Sequence, residues 1–478
     1  MLMRKIVLEG IYWTTLLEVF TKLLGLVASI LISRILLPED FGVIAVIGIF
    51  LSFASALANA GLTTSLIRNE NVGEDDYATV FFYNLLSSIV LVGILFILSP
   101  MIAAFFKSTV ITGILRVLSL SLIIQSLFVI SNVKLTKQLK YKELAIYNLS
   151  ATVFGTMVGL ICVYNNFGVW SLVIQSLSIE IIKGIIIFFN ENWRPKFIFK
   201  KEIFQKHFSF GYKLTASIVL NTIFNEIYTF VIGRYYSVSQ LGYYWRANSL
   251  SLYPSQMLSV IVHKVSFPFL STINDDDNKL MAIQKLTTQA ILFVIAPILI
   301  ISSVVALPLF AILFTEKWLE AAPMYQILIF SSLLYPIHAF NLQVVIVKGR
   351  SDLFLRAEMI KKIILMLVVG ISLLMGGLNV ILLGSVAISV FALFINMYFC
   401  SKVLPFTVME QFESLIPVLF FITIMGIFIY GIGHLFHLGH LSHLWSVILF
   451  SIVSLTLYFS IAYIFKLGVL LEIIKFVR

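Results

Sequence analysis

About fourteen stretches of roughly 20 mostly apolar residues follow one another along the chain. They centre near Gly25, Phe53, Leu91, Ile123, Phe154, Leu177, Phe224, Tyr253, Ile298, Ser331, Val369, Ile388, Ile422 and Leu455. A helix of that length rises about 30 Å, the thickness of a bilayer's hydrocarbon core, where every backbone N–H and C=O must find its partner inside the segment. The expected fold is therefore all-α, a polytopic membrane protein. Only 12% of the 478 residues are charged, against roughly 25% in soluble domains. Glu18 and Lys22 interrupt the first stretch, and Arg34 to Asp40 offers no small-x-small cleavage site. That stretch reads as a retained helix, not a signal peptide.

Charge sets the orientation. With the N-terminus in the cytoplasm, Lys134, Lys137, Lys140 and Lys142 share one cytoplasmic loop. Arg194, Lys196, Lys200, Lys201 and Lys206 fall in a second, and Lys348, Arg350, Arg356, Lys361 and Lys362 in a third. About 24 of the 33 Lys and Arg lie inside and about 4 (Arg34, Lys107, Arg234 and Lys317) outside. Both termini are then cytoplasmic. The net charge of +10 follows from topology and anionic lipid, and gives no reason to expect nucleic acid. The basic loops read as topogenic determinants lying on headgroups. Cys162 and Cys400 fall near opposite membrane faces, so no disulfide is expected. The outward loops are short, and no P-loop, G-x-S-x-G, H-E-x-x-H or dinucleotide fingerprint occurs, so neither an ATPase nor a hydrolase is expected, and no cofactor.

The chain repeats itself in register. Ile32-Ser33-Arg34 followed by Phe41-Gly42 returns about 200 residues later as Ile232-Gly233-Arg234 followed by Leu241-Gly242. The basic loop at Lys137–Lys142 is echoed at Lys348–Arg356. Two pseudo-symmetric six-helix lobes, residues 1–206 and 207–403, with a C-terminal helix pair at 404–478, fit this pattern. Six is even, so the repeat is parallel, about an axis along the membrane normal. The acidic runs Glu74-Asp75-Asp76 and Asp275-Asp276-Asp277 read as solvated helix caps.

Polar residues concentrate on the first two helices of each lobe. Glu18, Lys22, Gly25, Ser29 and Ser33 share one face of the first helix. Ser52, Ser55, Asn59 and Thr63 do so on the second. Lys213, Ser217, Asn221 and Asn225, with Glu226 close by, stripe the seventh, and Arg246, Ser249, Tyr253, Gln256 and His263 the eighth. An ionisable group near the bilayer centre costs at least about 2.5–3.5 kcal/mol, so it faces a partner or a wet cavity. A central cavity between the lobes would hydrate all four helices. The serines and threonines are expected instead to act as interhelical hydrogen-bond glue. Glu18 and Lys22 are spaced to neutralise each other, whereas Glu226 needs a partner elsewhere and invites a proton- or cation-coupling role. Glu180 and Lys183 read as an interfacial pair. Arg116 either snorkels to the outer surface or lines the cavity. The His434, His437, His440 and His443 run reads as a polar outward turn, and no metal site is expected.

Six short motifs give a resemblance. They are Leu37-Pro38-Glu39-Asp40-Phe41-Gly42, Ala60-Gly61-Leu62, Leu139-Lys140-Tyr141-Lys142-Glu143-Leu144-Ala145, Phe167-Gly168-Val169-Trp170-Ser171-Leu172-Val173, Leu241-Gly242-Tyr243-Tyr244 and Phe267-Pro268-Phe269-Leu270. In that order the chain resembles Wzx-type lipid-linked oligosaccharide flippases of the multidrug/oligosaccharidyl-lipid/polysaccharide exporter superfamily. The resemblance implies a bacterial inner-membrane protein with two lobes around a V-shaped cavity. It implies movement of undecaprenyl-diphosphate-linked sugar repeat units to the periplasmic leaflet by alternating access, alongside a polymerase and other glycan-assembly proteins. The family often carries an Asn-Asp pair in its seventh helix; here it is Asn225-Glu226. A diphosphate needs cations in a low-dielectric site, and Lys22, Lys213 and Arg246 are available, with Arg116 as a further candidate. Sugars need amides and aromatic faces, for which Asn59, Asn221, Asn225, Tyr253 and Gln256 are the candidates, while the lipid tail stays in the bilayer in a Phe-rich groove. Glu18 and Glu226 remain for charge pairing or ion coupling. The competing classes are a drug/cation antiporter of the same fold, which would favour a carboxylate-rich cavity, and a polytopic glycan polymerase or ligase, which would want large outward loops.

Overall fold

The computed structural model describes the backbone of residues 2–435 and 444–477. It describes the side chains of residues 16–434 and 444–472 other than Ile261, His263, Lys264, Val265, Phe267 and Pro268. His263, His437, His440 and His443 thus lie outside the described side chains. Among the described residues the chain is all-α, a multi-pass membrane protein. Eleven helices are long and apolar enough to cross a membrane, and a bent pair makes up to twelve.

The chain divides into two compact units, Met1–Trp245 and Arg246–Arg478. The first holds α1 (Leu2–Ile35), α2 (Pro38–Asn59), α3 (Leu62–Arg68), α4 (Glu74–Phe105), α5 (Val110–Lys137), α6 (Tyr141–Tyr164), α7 (Trp170–Asn190), α8 (Lys201–Asn225), α9 (Ile227–Tyr235) and the start of α10 (Val238–Thr272). Pro38 opens α2 in a position where its missing N–H costs nothing, and Asp40 accepts a hydrogen bond from the Leu37 N–H at 2.9 Å. Ala60 and Gly61, both left-handed at φ 43° and 65°, end α2 and start α3. Helices in lipid gain little from burying apolar surface against one another, so close approach decides their packing. Gly155 and Gly159 provide it between α6 and α7: a Cβ on Gly155 would stand 2.8 Å from the Ile179 nitrogen.

The repeated Phe-Gly and Leu-Gly motifs meet each other. A Cβ on Gly42 would stand 2.8 Å from the Val238 carbonyl carbon, with the oxygen nearer still. A Cβ on Gly242 would stand 2.6 Å from the Pro38 carbonyl carbon, again with its oxygen nearer. The first turns of α2 and α10 therefore cross backbone to backbone, each glycine under the other helix's first residue. Phe41 stacks on Trp245 beside the crossing, ring centroids 6.0 Å apart. A second such approach joins α8 to the end of α2, where a Cβ on Gly61 would lie 2.6 Å from the Gly211 carbonyl oxygen.

The second unit continues α10 and adds α11 (Asp277–Val304), α12 (Ala306–Phe314), α13 (Ala321–Val347), α14 (Ser351–Met375), α15 (Leu378–Cys400), α16 (Val408–Leu435), α17 (Leu444–Ile464) and α18 (Gly468–Val477). Its core gathers Phe293, Phe340, Phe421 and Tyr458 around Leu292, Ala296 and Met425. Buried polar groups tie these helices. Ser332 donates to Ser251 at 3.0 Å and Ser255 to the Ser332 carbonyl at 2.7 Å. The Gln284 amide reaches Asn341 Oδ1 at 3.2 Å.

The acidic runs do more than cap. Asp76 accepts from the Gly73 N–H at 3.1 Å and Asp276 from the Lys279 N–H at 3.0 Å, which is capping. Yet Glu74 also pairs with Lys134 at 2.9 Å, Asp75 with Lys200 at 2.5 Å and Asp76 with the fully buried His207 at 2.9 Å. The hydrogen bond from Lys200 to Asp75 holds that ammonium's pKa above its ordinary value. The basic loops likewise turn inward in part. Lys137 donates to the Leu66 and Asn69 carbonyls at 3.2 and 2.6 Å, and Lys348 to the Asn274 carbonyl and Asp277 at 2.5 and 2.7 Å.

Candidate functional site

The polar face of α2 opens onto space. Ser52, Ser55 and Asn59 recur at i+3 and i+4, and Thr63 follows beyond the left-handed break. Together with Thr64, Asn132, Thr136 and Thr222 from α3, α5 and α8 they line a cavity of about 500 Å³ whose wall carries no ionisable side chain. A second cavity of about 250 Å³ shares Ser55, Asn59, Val129 and Asn132 with the first. It continues between α4, α5 and α7, lined by Asn84, Ser88, Gln125, Glu180 and Lys183. The whole path lies inside the first unit.

Its wall is rich in unsatisfied amides. Asn84 is 2% exposed, and among the described residues neither its Oδ1 nor its Nδ2 has a hydrogen-bond partner; the Asn132 Oδ1 is in the same position. A buried amide without partners costs about 1–3 kcal/mol, so its retention inside an apolar bundle signals a use. Gln125 donates to Glu180 at 3.1 Å, which fixes that carboxylate beside the cavity. Paired donors and acceptors with little net charge suit a hydroxyl-bearing ligand, because each hydroxyl both donates and accepts.

The sequence-derived candidates distribute as follows. Asn59 lines both cavities, its Nδ2 donating to the Ser55 carbonyl at 3.0 Å. On α1, Lys22 is half-buried and Glu18 exposed; on α8, Lys213, Asn221 and Asn225 are exposed. Glu226 is half-buried at the break between α8 and α9, where the axis bends by 44°. Discontinuous helices of this kind expose backbone dipoles in transporters. Arg116 donates to Ser99 Oγ at 3.0 Å and stacks on Phe96 at 4.3 Å, within α4 and α5. In the second unit Arg246 is 2% exposed, its guanidinium 4.9 Å from the Phe314 ring and 5.2 Å from Trp318. Tyr253 is half-buried and Gln256 exposed. Asn84, Gln125, Asn132, Glu180 and Lys183 were not among the candidate ligands, although amides and charges inside apolar spans are the signal that finds them.

Residues 31–323 match the family of polysaccharide biosynthesis proteins. The succinoglycan biosynthesis transport protein ExoT of Rhizobium meliloti is 25% identical over 329 residues, 68% of this chain and 66% of that protein. The teichuronic acid biosynthesis protein TuaB of Bacillus subtilis is 24% identical over 90% of this chain and 89% of its own length. The lipopolysaccharide biosynthesis protein WzxC of Escherichia coli is 22% identical over 76% and 74%. Among solved structures, the lipid II flippase MurJ in an inward closed conformation superposes with a TM-score of 0.77 at 16% identity, covering 94% of this chain and 98% of that one. An inward-facing multidrug resistance MATE family transporter of the MOP superfamily gives 0.60 at 15% identity, over 80% and 95%. The chain has the fold these transporters share, and by the match over residues 31–323 it belongs to the polysaccharide biosynthesis protein family.

Proposed function

We propose that this chain is a flippase that carries undecaprenyl-diphosphate-linked oligosaccharide repeat units, of an O-antigen, capsule or exopolysaccharide, from the cytoplasmic to the periplasmic leaflet by alternating access. The observation that carries this reading is the hydroxyl- and amide-lined path along α2 in a chain of the polysaccharide biosynthesis family. Such a wall suits hydrated sugars. A drug/cation antiporter would want several carboxylates, and among the described residues Glu180 is the one acidic residue on these walls.

In this reading the protein sits in a bacterial inner membrane with both termini cytoplasmic. Fourteen spans require α10 and α14 to cross as well, and their 35 and 25 helical residues, about 50 and 37 Å, are long enough for about 30 Å of hydrocarbon. The lobes are residues 1–206 and 207–403, with 404–478 as an added helix pair, and the reciprocal crossing at Gly42 and Gly242 supports the internal repeat. Lys22, Lys213 and Arg246 serve the diphosphate. Asn59, Asn221, Asn225, Tyr253 and Gln256 serve the sugars. Arg116 stays on the binding side, and Glu18 and Glu226 hold charge pairs or couple an ion. No bond is made or broken, so the protein acts with its glycan-assembly partners without being an enzyme.

Deleting the gene tests this. Loss of surface glycan with lipid-linked repeat units held in the cytoplasmic leaflet is expected; surface glycan at the wild-type level would refute it.

A further inference from the structure

A third cavity in the first unit is of the opposite character. It is a mostly apolar groove of about 470 Å³ between α5 and α7, lined by Ile124, Leu127, Ile181, Ile185 and Phe188, with Trp193 and Arg194 also on its wall. Phe128 is a wall of both this groove and the 250 Å³ polar cavity. Gly184 keeps that partition thin: a Cβ there would stand 3.1 Å from the Phe128 Cδ1. Lys183 stands at the seam. Its Nζ lies 5.5 Å from the centre of the Phe128 ring, and it lines the polar side. Among the described residues it has no hydrogen bond and no ion pair within 4.0 Å; the neighbouring carboxylate of Glu180 accepts from Gln125 instead. So Glu180 and Lys183 do not form the ion pair their spacing suggested. Lys183 is seven residues from the end of α7 at Asn190, about 10 Å by the helical rise.

We infer that the α5–α7 groove, the Lys183 ammonium and the polar cavity behind Phe128 form one amphipathic site that takes the isoprenoid chain, the diphosphate and the first sugar of a lipid-linked saccharide. The order of chemistry along the protein matches the order along the ligand. An apolar groove open to lipid accepts a hydrocarbon chain at about 0.8 kcal/mol per CH₂ moved out of water, but discriminates little against other lipids. The cation at its end selects a phosphorylated one. The amide-lined cavity beyond selects one whose phosphate carries a hydroxylated ring, which phosphatidylethanolamine and phosphatidylglycerol lack. The site therefore belongs to the transported lipid and not to a structural phospholipid. It deepens the flippase reading and rests on it: it places lateral docking on α5 and α7 of the first unit, a step before the diphosphate reaches Lys22, Lys213 and Arg246.

The test uses the full-length protein in phosphatidylethanolamine nanodiscs and three probes: undecaprenyl diphosphate bearing one hexose, undecaprenyl diphosphate alone, and phosphatidylglycerol. Lys183→Ala should weaken the hexose-bearing probe about 10- to 100-fold, the range for losing one charge-assisted hydrogen bond. Lys183→Arg should restore most of it. Ile185→Trp, which fills the groove from its exposed side, should weaken both isoprenoid probes alike, and Asn84→Leu only the one that carries the hexose. Unchanged binding in Lys183→Ala and Ile185→Trp, by protein that still moves lipid-linked sugar, would overturn the site and leave the flippase reading standing. Phosphatidylglycerol binding more tightly than either isoprenoid and falling equally in Lys183→Ala would overturn it in favour of a phospholipid site. Wild-type protein that neither binds nor moves the hexose-bearing lipid would overturn the flippase reading itself.

Discussion

Gly42→Ala probes the crossing that the internal repeat builds. The added methyl would stand 2.8 Å from the Val238 carbonyl carbon and 2.9 Å from its Cγ1, where ordinary contact begins near 3.4 Å. The main obstacle is the Val238 carbonyl oxygen, nearer still than its carbon, so no side-chain rotation relieves it, and α2 and α10 must part until that oxygen clears the methyl. Overpacking of this kind costs roughly 1–3 kcal/mol, and the upper half of that range applies when a carbonyl blocks the way. Replacing a helical glycine by alanine returns about 1 kcal/mol. The net loss should be about 1–2 kcal/mol. Gly48→Ala is the control: it sits in the same helix with nothing within 4 Å of the added carbon, and should leave stability unchanged or raise it. Gly242→Ala should match Gly42→Ala. The double variant should lose less than the sum, because one displacement of α10 relieves both contacts. Thermal midpoints of the purified variants in one detergent measure all four. A midpoint for Gly42→Ala at or above that of Gly48→Ala would refute the crossing.

Three further outcomes are expected. Asp76→Asn and His207→Ala should each cost about 1–3 kcal/mol and couple in a double-mutant cycle, because His207 is fully buried and bridges Asp76 and Ser65 at 2.9 and 2.8 Å; additive losses would mean the bridge contributes nothing. Asn132→Leu should cut surface glycan several-fold at normal protein abundance, since Asn132 lines both polar cavities; glycan at the wild-type level would remove Asn132 from the sugar path. Lys22→Ala and Lys213→Ala should also impair export without lowering abundance, and wild-type glycan in both would remove these cations from the substrate's route.

Hydropathy made the membrane class and most of the helices legible, because an apolar run of about 20 residues satisfies its own backbone in lipid as a helix. Where it blurred, the reason is local. Hydropathy averaged over a membrane span passes straight across Glu226, so it does not show the break between α8 and α9. The wet face of α2 was legible because Ser52, Ser55 and Asn59 follow helical spacing on one element. Its opposite wall was less so: Gln125 and Asn132 share a face of α5 at i+7, but Asn84 and Lys183 come from α4 and α7, and no periodicity joins one helix to another. The acidic run at Glu74 read as caps because charge partners such as His207, 131 residues away, cannot be paired from spacing. Repeat matching found Gly42 and Gly242 as echoes; only coordinates place them against each other.

The central claim meets its most direct test in sealed vesicles holding the purified protein and a fluorescent undecaprenyl-diphosphate-linked oligosaccharide. The fraction of label open to a membrane-impermeant quencher is followed with time. Protein-dependent exchange of the sugar-bearing lipid between leaflets, with a labelled phosphatidylglycerol left in place, is the expected result. Sugar-lipid that stays in its leaflet as it does in protein-free vesicles would contradict it, as would joining of the sugars into longer chains.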